Sequence, residues 1–376
     1  MTDSTTAVDA ASGSPSWLAD ARQRGSFRRA VRRWYARHRR DLPWRRHRSL
    51  YRVWVSEIML QQTQAATVVP YYQRFLKSFP SVRRLALADE EQVLRAWEGL
   101  GYYRRARNLH QAAKQVVRDL QGRIPRTREQ LQALPGIGRY TAAAILSFAL
   151  DQPHAILEAN TRRLYRRLLA ASSEAGSDRS LWAFAETLLP RVRIADWNDA
   201  LIDLGATLCS PRQPQCSRCP LTRWCGAFTS GDAESFGTAK PATETTPLEE
   251  LAIIVESGGK VLLRERREGE WWSGLWDFPR IRLSDAESAA DFDRLRSRFL
   301  QETGIEIDTA VSLPTLRHSV TRYHIRLQCL RAEADNRTDD RLRNGYRWID
   351  REQLERLPLT ATARKMAQWL STGGVD

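Results

Sequence analysis

From Phe27 to Cys225 apolar residues recur at spacings of three and four, and no stretch in that span alternates for long. This pattern predicts a domain that is helical almost throughout. Asp151-Gln152-Pro153 and Ser172 to Ser177 read as loops between helices, and residues 229–248, rich in Thr, Ala, Gly and Pro, read as a linker. The pattern changes after Leu248. Leu251 to Glu256, then Gly258-Gly259, then Lys260 to Arg264 predicts a β-hairpin. Ile325–Cys329 and Tyr346–Ile349 read as further strands, and residues 287–303 and 361–371 as helices. The expected organisation is therefore a disordered tail at 1–24, an all-α domain at 25–228, the linker, and a smaller α+β domain at 249–371.

A length of 376 residues fits such a division, and 42% hydrophobic residues suffices for ordinary cores. No run approaches the ~18 apolar residues that span a bilayer, so no membrane association is expected. Met1 to Ser16 lacks a basic segment followed by an apolar one, so the expectation is a cytoplasmic protein. Lys and Arg number 59 against 44 Asp and Glu, a net charge of +15. Twelve of those arginines and a single aspartate fall within residues 21–50. A local cationic excess of this kind favours a polyanionic partner over a neutral one.

Four of the five cysteines fall close together, as Cys209-x6-Cys216-x2-Cys219-x5-Cys225. Clustering in a chain without a secretory signal argues for a metal site over a disulfide framework. Four thiolates bind either zinc or an iron–sulfur cluster, and one C-x2-C knuckle flanked by wider gaps suits a cubane better than a zinc ribbon. Cys329 stands apart and reads as a small buried hydrophobe.

Leu134-Pro-Gly-Ile-Gly-Arg-Tyr-Thr-Ala lies between two helical stretches. Pro135 and Gly136 end the first helix and Gly138 permits a tight turn before the second, so backbone amides there can approach a phosphate. Glu57, on a helix predicted over Leu50 to Gln64, shares an apolar face with Val53 and Leu60. Burial raises the pKa of such a carboxyl, so it is a candidate general acid, or else half of a structural ion pair.

Taken together, Leu42-Pro-Trp-Arg, Ser56-Glu-Ile-Met-Leu-Gln-Gln-Thr-Gln, Gly99-Leu-Gly-Tyr-Tyr, Arg105-Ala-Arg-Asn-Leu-His, the Leu134–Gly138 hairpin and the cysteine spacing resemble the endonuclease III superfamily, and within it the adenine DNA glycosylase family. The resemblance covers about residues 27–228 and implies an all-α helix-hairpin-helix glycosylase domain with a [4Fe–4S] cluster on Cys209, Cys216, Cys219 and Cys225, followed by a Nudix-like α+β domain. It implies hydrolysis of the N-glycosidic bond of adenine mispaired with 8-oxoguanine or guanine, in double-stranded DNA, by a monomer. Glu57 would protonate the base. Tyr140 takes the hairpin position where bifunctional relatives carry a Schiff-base lysine, so a monofunctional enzyme is expected. Arg40, Trp44 and Asp203 match positions lining the adenine pocket, Gln62 and Tyr102 match the wedge and minor-groove residues, and Leu134, Gly136 and Gly138 belong to the DNA-gripping hairpin.

Two segments depart from the family. Leu157-Glu158-Ala159-Asn160-Thr161 stands where the family has Leu-Asp-Gly-Asn-Val. Glu158 is expected to steady the cationic sugar despite its extra methylene, with Asn160 orienting it. Val320-Thr321-Arg322 replaces a Phe-Ser-His loop that reads 8-oxoguanine, leaving the Thr321 hydroxyl as a candidate contact. Glu302 alone remains of the three Nudix glutamates, which argues against a nucleotide pyrophosphatase. The alternatives are a glycosylase of altered specificity and a catalytically weak lesion-binding protein.

Overall fold

The computed structural model describes residues 15–170, 176–236, 244–284, 292–334 and 342–371. They form two compact units, one within 1–86 and 111–241, the other within 87–110 and 242–376. Among the described residues no helix is long and apolar enough to cross a membrane.

The first unit is helical. Its core joins Phe27, Val31, Trp34 and Tyr35 of the helix Ala21–His38 to Leu164, Tyr165 and Leu168 of Ala159–Leu169, Leu181 and Phe184 of Asp178–Leu188, and Trp197, Leu201 and Leu204 of Ile194–Thr207. Residues 1–14 of the expected tail lie outside the described residues, but the remainder of that expectation is corrected. Ser16–Ala19 and Ala21–His38 are helices, the second capped by the Asp20 carboxylate accepting from the amide of Arg22 at 2.7 Å. Trp17 is buried and stacks on Phe27 at 5.0 Å, and an apolar pair that covers a core is held however polar its flanks. The far end of the unit returns to the same place. Trp224 packs edge-on to Phe27 at 5.5 Å and donates to Gln23 at 3.3 Å.

The helix expected over Leu50 to Gln64 stops at Leu60. Ser49 caps its start, accepting from the amide of Arg52 at 3.2 Å. Gln62 takes a left-handed conformation at φ 58°, and a new helix begins at Ala65. Helix Leu50–Leu60 packs against Arg139–Leu150, and these two carry the site described below.

The second unit holds a mixed sheet of β1 (Thr246–Ser257), β2 (Lys260–Glu265), β3 (Trp276–Asp277), β4 (Arg280–Arg282), β5 (Ala310–Val320), β6 (Tyr323–Glu333) and β7 (Tyr346–Asp350). The main path runs β3-β2-β1-β6-β5, with β4 beside β1 and β7 beside β2. The expected hairpin is β1–β2, turned by Gly258 and Gly259 at φ 53° and 80°. The strand expected at Ile325–Cys329 extends over all of β6, which pairs parallel with β1 from Thr246↔Tyr323 to Glu256↔Glu333. β1 alternates between two cores. Leu251, Ile253 and Val255 meet Leu295 and Phe299 of helix Phe292–Thr303, while Ala252 and Ile254 meet Ala363 and Met366 of helix Ala361–Ser371. Cys329, buried in the second of these cores, sits as its composition suggested.

Candidate active site

Glu57 lies in Leu50–Leu60, 4% exposed, between Ser56 and Ile58 in a stretch that also buries Val53, Trp54, Val55 and Met59. The Tyr140 hydroxyl, from the first turn of Arg139–Leu150, donates to Glu57 Oε2 at 2.8 Å. Burial raises the Glu57 pKa to about 7; the Tyr140 hydrogen bond pulls it down, and the negative charges of Asp199 and Glu158 push it up. Tyr140 is itself held well above the ordinary phenol value by burial and by Glu57. The pair is therefore a phenol and a carboxyl that carries a proton near neutral pH. Beside it, Gln61 Nε2 donates to Thr141 Oγ1 at 3.4 Å.

The turn before Arg139 has the expected helix-hairpin-helix form. Helix Arg128–Gln132 ends, Leu134 and Ile137 are buried beneath the turn, and Gly136 adopts φ 77°. Gly138 caps the second helix, and a Cβ there would point into open space. The first amides of a helix have no partner within it and favour an anion. The Arg139 side chain lies over the Trp182 ring at 4.0 Å and pairs with Glu186 at 3.2 Å.

Glu158 takes up a different task from Glu57. It is the N-cap of Ala159–Leu169: Oε1 accepts from the Thr161 amide at 2.8 Å and Oε2 from the Asn160 amide at 2.9 Å. The Asn160 side chain adds a third bond to Oε2 at 3.1 Å, and the Glu158 amide donates to Thr161 Oγ1 at 2.9 Å, closing a capping box. The added methylene lets this carboxylate curl back onto its own helix. Asn160 is fixed in turn by Arg163 at 2.9 Å and by the close passage of Gly205, where a Cβ would meet the Asn160 carbonyl at 2.7 Å.

Arg40 and Asp203 converge with Arg45, Arg48 and Asp199, which the sequence alone does not single out, whereas Trp44 packs on Tyr72. Asp203 is wholly buried and takes both Arg40 Nε at 2.6 Å and the Arg45 guanidinium at 2.8 and 3.0 Å. Arg45 also pairs with Asp199 at 2.8 Å, and Asp199 with Arg48 at 2.6 Å. Burial opposes the charge on Arg45, but the two aspartates outweigh it and its pKa is raised. Asp199 and Asp203 stand four apart on the helix Ile194–Thr207, both buried among Trp197, Ala200, Leu201 and Leu204, the signal that could have revealed this brace. Trp44 is buried edge-on to Tyr72 at 5.5 Å. Gln62 is exposed in its left-handed turn. In the second unit Tyr102 is 56% exposed at φ 50°. Thr321 is exposed at the tip of the β5–β6 hairpin with φ 51°, its hydroxyl donating to the Val320 carbonyl at 2.7 Å.

Cys209, Cys216, Cys219 and Cys225 line one pocket, walled by Leu164, Leu168, Leu208, Leu221 and Phe228. Arg167, almost fully buried, donates to Cys209 Sγ at 3.3 Å and to the Ser210 and Pro211 carbonyls at 2.7 and 2.9 Å. Burial pushes the Cys219 thiol up to about 12 and Cys225 up to about 11, so a cationic centre must displace their protons on binding. Among the described residues no set of three His, Cys, Asp or Glu side chains is arranged to hold a metal ion. Zinc would draw four sulfurs to about 4 Å from one another, since each lies ~2.3 Å from the ion. Four thiols around a shared apolar pocket, with an N–H donor to one sulfur, are a donor set that zinc or an iron–sulfur cluster can use.

Profile comparison matches residues 55–186 to the HhH-GPD superfamily of base excision DNA repair proteins and residues 251–369 to the NUDIX domain. The chain is 37% identical over 317 residues to the adenine DNA glycosylase of Mus musculus, covering 70% of this chain and 62% of the mouse protein. It spans 61% of the rat relative and 44% of the human one, less than two thirds of each of these mammalian proteins. With the adenine DNA glycosylase of Buchnera aphidicola subsp. Acyrthosiphon pisum it shares 32% identity over 302 residues, 79% of this chain and 83% of that protein. Among solved structures, a thermostable thymine-DNA glycosylase superposes with a TM-score of 0.53 at 31% identity, over 56% of this chain and all of that one. The helix-hairpin-helix site and these relatives agree, and the chain belongs to the adenine DNA glycosylase family.

Proposed function

We propose that this chain hydrolyses the N-glycosidic bond of adenine mispaired with 8-oxoguanine or guanine in double-stranded DNA. The observation that carries this reading is the buried Glu57 carboxyl, raised to about 7 and bonded by Tyr140. Adenine leaves poorly as an anion. Glu57 gives its proton to a ring nitrogen of the extruded base, the bond from that base to the sugar breaks, and an oxocarbenium-like sugar forms. Water then adds to the sugar, and its proton returns to the Glu57 carboxylate. Tyr140 holds Oε2, leaving Oε1 to carry the proton. A phenol cannot form an imine with the opened sugar, so strand cleavage requires added alkali. By the family resemblance Gln62 and Tyr102 are assigned wedge and minor-groove roles on the duplex, and the amides following Gly138 grip a phosphate. The four cysteines hold a [4Fe–4S] cluster that shapes the loop 209–225 for DNA. The protein acts as a monomer where the DNA lies.

One observation favours a second reading. Among the described residues the Glu158 carboxylate accepts from the Asn160 and Thr161 amides and the Asn160 side chain, all of its own helix, which describes a cap better than a partner for a cationic sugar. A lesion-binding protein with slow chemistry would look the same.

Single-turnover excision separates the two. Duplexes carry adenine opposite 8-oxoguanine, guanine, cytosine or thymine, with and without alkali, for the natural chain, Glu57→Gln and Glu158→Asp. Alkali-dependent cleavage opposite 8-oxoguanine and guanine, lost in Glu57→Gln, supports the glycosylase. Tight binding without excision opposite any base overturns it in favour of the lesion binder.

A further inference from the structure

The turn that carries Tyr102 is built more tightly than an exposed loop requires. It follows helix Glu90–Trp97 and precedes Arg104–Leu120. Within four residues, Gly99, Gly101 and Tyr102 all adopt left-handed backbone, at φ 93°, 71° and 50°. Glycine takes that conformation without strain, but a bulky aromatic does not, and such a residue persists only where its surroundings fix it. Here they do. Trp97 Nε1 donates to the Gly101 carbonyl at 3.3 Å, and the Gly99 amide donates to the Tyr103 hydroxyl at 3.2 Å. Arg105 Nη2 donates to the carbonyls of Leu100 and Gly101 at 3.3 and 3.1 Å.

Arg105 does more than tie carbonyls. Its guanidinium carbon lies 5.5 Å from the Trp97 ring centre and 5.6 Å from that of Tyr102, so one cation contacts both a buried ring and an exposed one. The side chain is 9% exposed against 56% for Tyr102. Burial draws the Arg105 pKa down to about 10, still cationic at working pH.

We propose that Arg105 is a positioning residue that locks the Tyr102 ring in place as a preformed wedge, so that the base leaves the stack against a rigid side chain. The proposal rests on the reading of Tyr102 as the wedge. A flexible loop would have to order itself during base extrusion, whereas this turn has done so before DNA arrives.

The test follows extrusion by stopped-flow fluorescence of 2-aminopurine placed beside adenine opposite 8-oxoguanine. Tyr102→Ala and Arg105→Ala are each expected to slow extrusion by up to roughly 10²-fold, the scale of an ångström-level misplacement. The double variant is expected to be no slower than Tyr102→Ala, because both act through one ring. Arg105→Lys should not rescue, since an ammonium lacks the planar fork. The alkaline limb of the excision profile set by Glu57 should stay in place in every variant. Wild-type extrusion in Arg105→Ala, or multiplicative losses in the double variant, overturns the proposal. Wild-type extrusion in Tyr102→Ala removes the wedge itself and the proposal with it. If Arg105→Ala does not fold, Arg105→Gln keeps planar donors without the charge; it should slow extrusion severalfold, and wild-type extrusion in it overturns the proposal.

Discussion

Glu57 in the helical unit and Asp277 in the second unit are both carboxyls removed from water, at 4% and 0% exposure. Their pKa values move in opposite directions. Burial raises Glu57 to about 7, because the partner it meets is a neutral phenol. Burial also pushes Asp277 upward, but Arg280 at 2.9 Å and Arg266 at 2.8 Å reverse the sign and leave it lowered, with Thr360 adding a hydrogen bond at 3.1 Å. Glu57, bonded by a phenol, keeps its proton near neutral pH and can give it away; Asp277, held by two guanidinia, is a fixed anion that braces a sheet. Two guanidinia do not suffice alone: Asp199, paired with Arg45 and Arg48, is still raised by burial, with Asp203 adding to it.

The largest expected effect breaks the first half of that comparison. Glu57→Gln should lower single-turnover excision by about 10²–10⁴-fold, the usual range for a lost general acid. Next, Asp277→Asn leaves two buried guanidinia facing a neutral amide. It should destabilise the second unit by about 3–5 kcal/mol, seen as an earlier denaturant midpoint.

The two carboxyls should also fail at opposite ends of the pH scale. Glu57 binds its proton more tightly folded than unfolded, from an ordinary 4.5 to about 7. Its contribution is therefore complete below about 4.5 and is lost as pH rises through about 7, by about 3 kcal/mol at 1.36 kcal/mol per unit. Asp277 has the reverse sign: its contribution is present above its ordinary 3.8 and is lost as pH falls through its lowered folded value. Denaturation across pH should show the alkaline loss vanish in Glu57→Gln while the acid loss remains.

Tyr140→Phe sharpens the contrast further. It removes the hydrogen bond that lowers Glu57, so the alkaline limb of the excision profile should move above pH 7. Glu158 offers a third arrangement, a carboxylate satisfied by backbone amides. Glu158→Ala should cost about 1 kcal/mol of melting stability as a lost N-cap, and Glu158→Asp should retain most of it.

Several of these features were legible in the sequence. The three-and-four periodicity located the helices, the Gly258-Gly259 pair located the β1–β2 hairpin, and the cysteine spacing brought four thiols to one pocket. Glu57 was visible as an acid on an apolar face. The upward pull of burial on it was legible too; the Tyr140 hydrogen bond that moderates that pull was not, because Tyr140 lies 83 residues away. Of the Asp199–Arg45–Asp203 brace, the i,i+4 aspartates were legible, but their partner Arg45 was not, since a charge about 150 residues away carries no local pattern. The helix over Leu50 to Gln64 was drawn too long because Gln62 is no helix breaker by type and turns left-handed only in its context. For Glu158 the sequence offers a lengthened carboxylate at a catalytic position; the capping box it forms with Thr161 is a local pattern of the same segment.

The contact between Phe27 and Trp224 has a consequence in time. These two rings lie at opposite ends of the helical unit's sequence and meet at its centre. While the chain is being synthesised, Phe27 leaves the ribosome long before Trp224 exists. The aromatic face of the helix Ala21–His38 therefore lacks part of its cover until the cysteine segment follows it out. Every nascent copy passes through an interval with an open, sticky half-core, the kind of surface that chaperones bind. Filling of the cysteine pocket can begin only when that interval is ending.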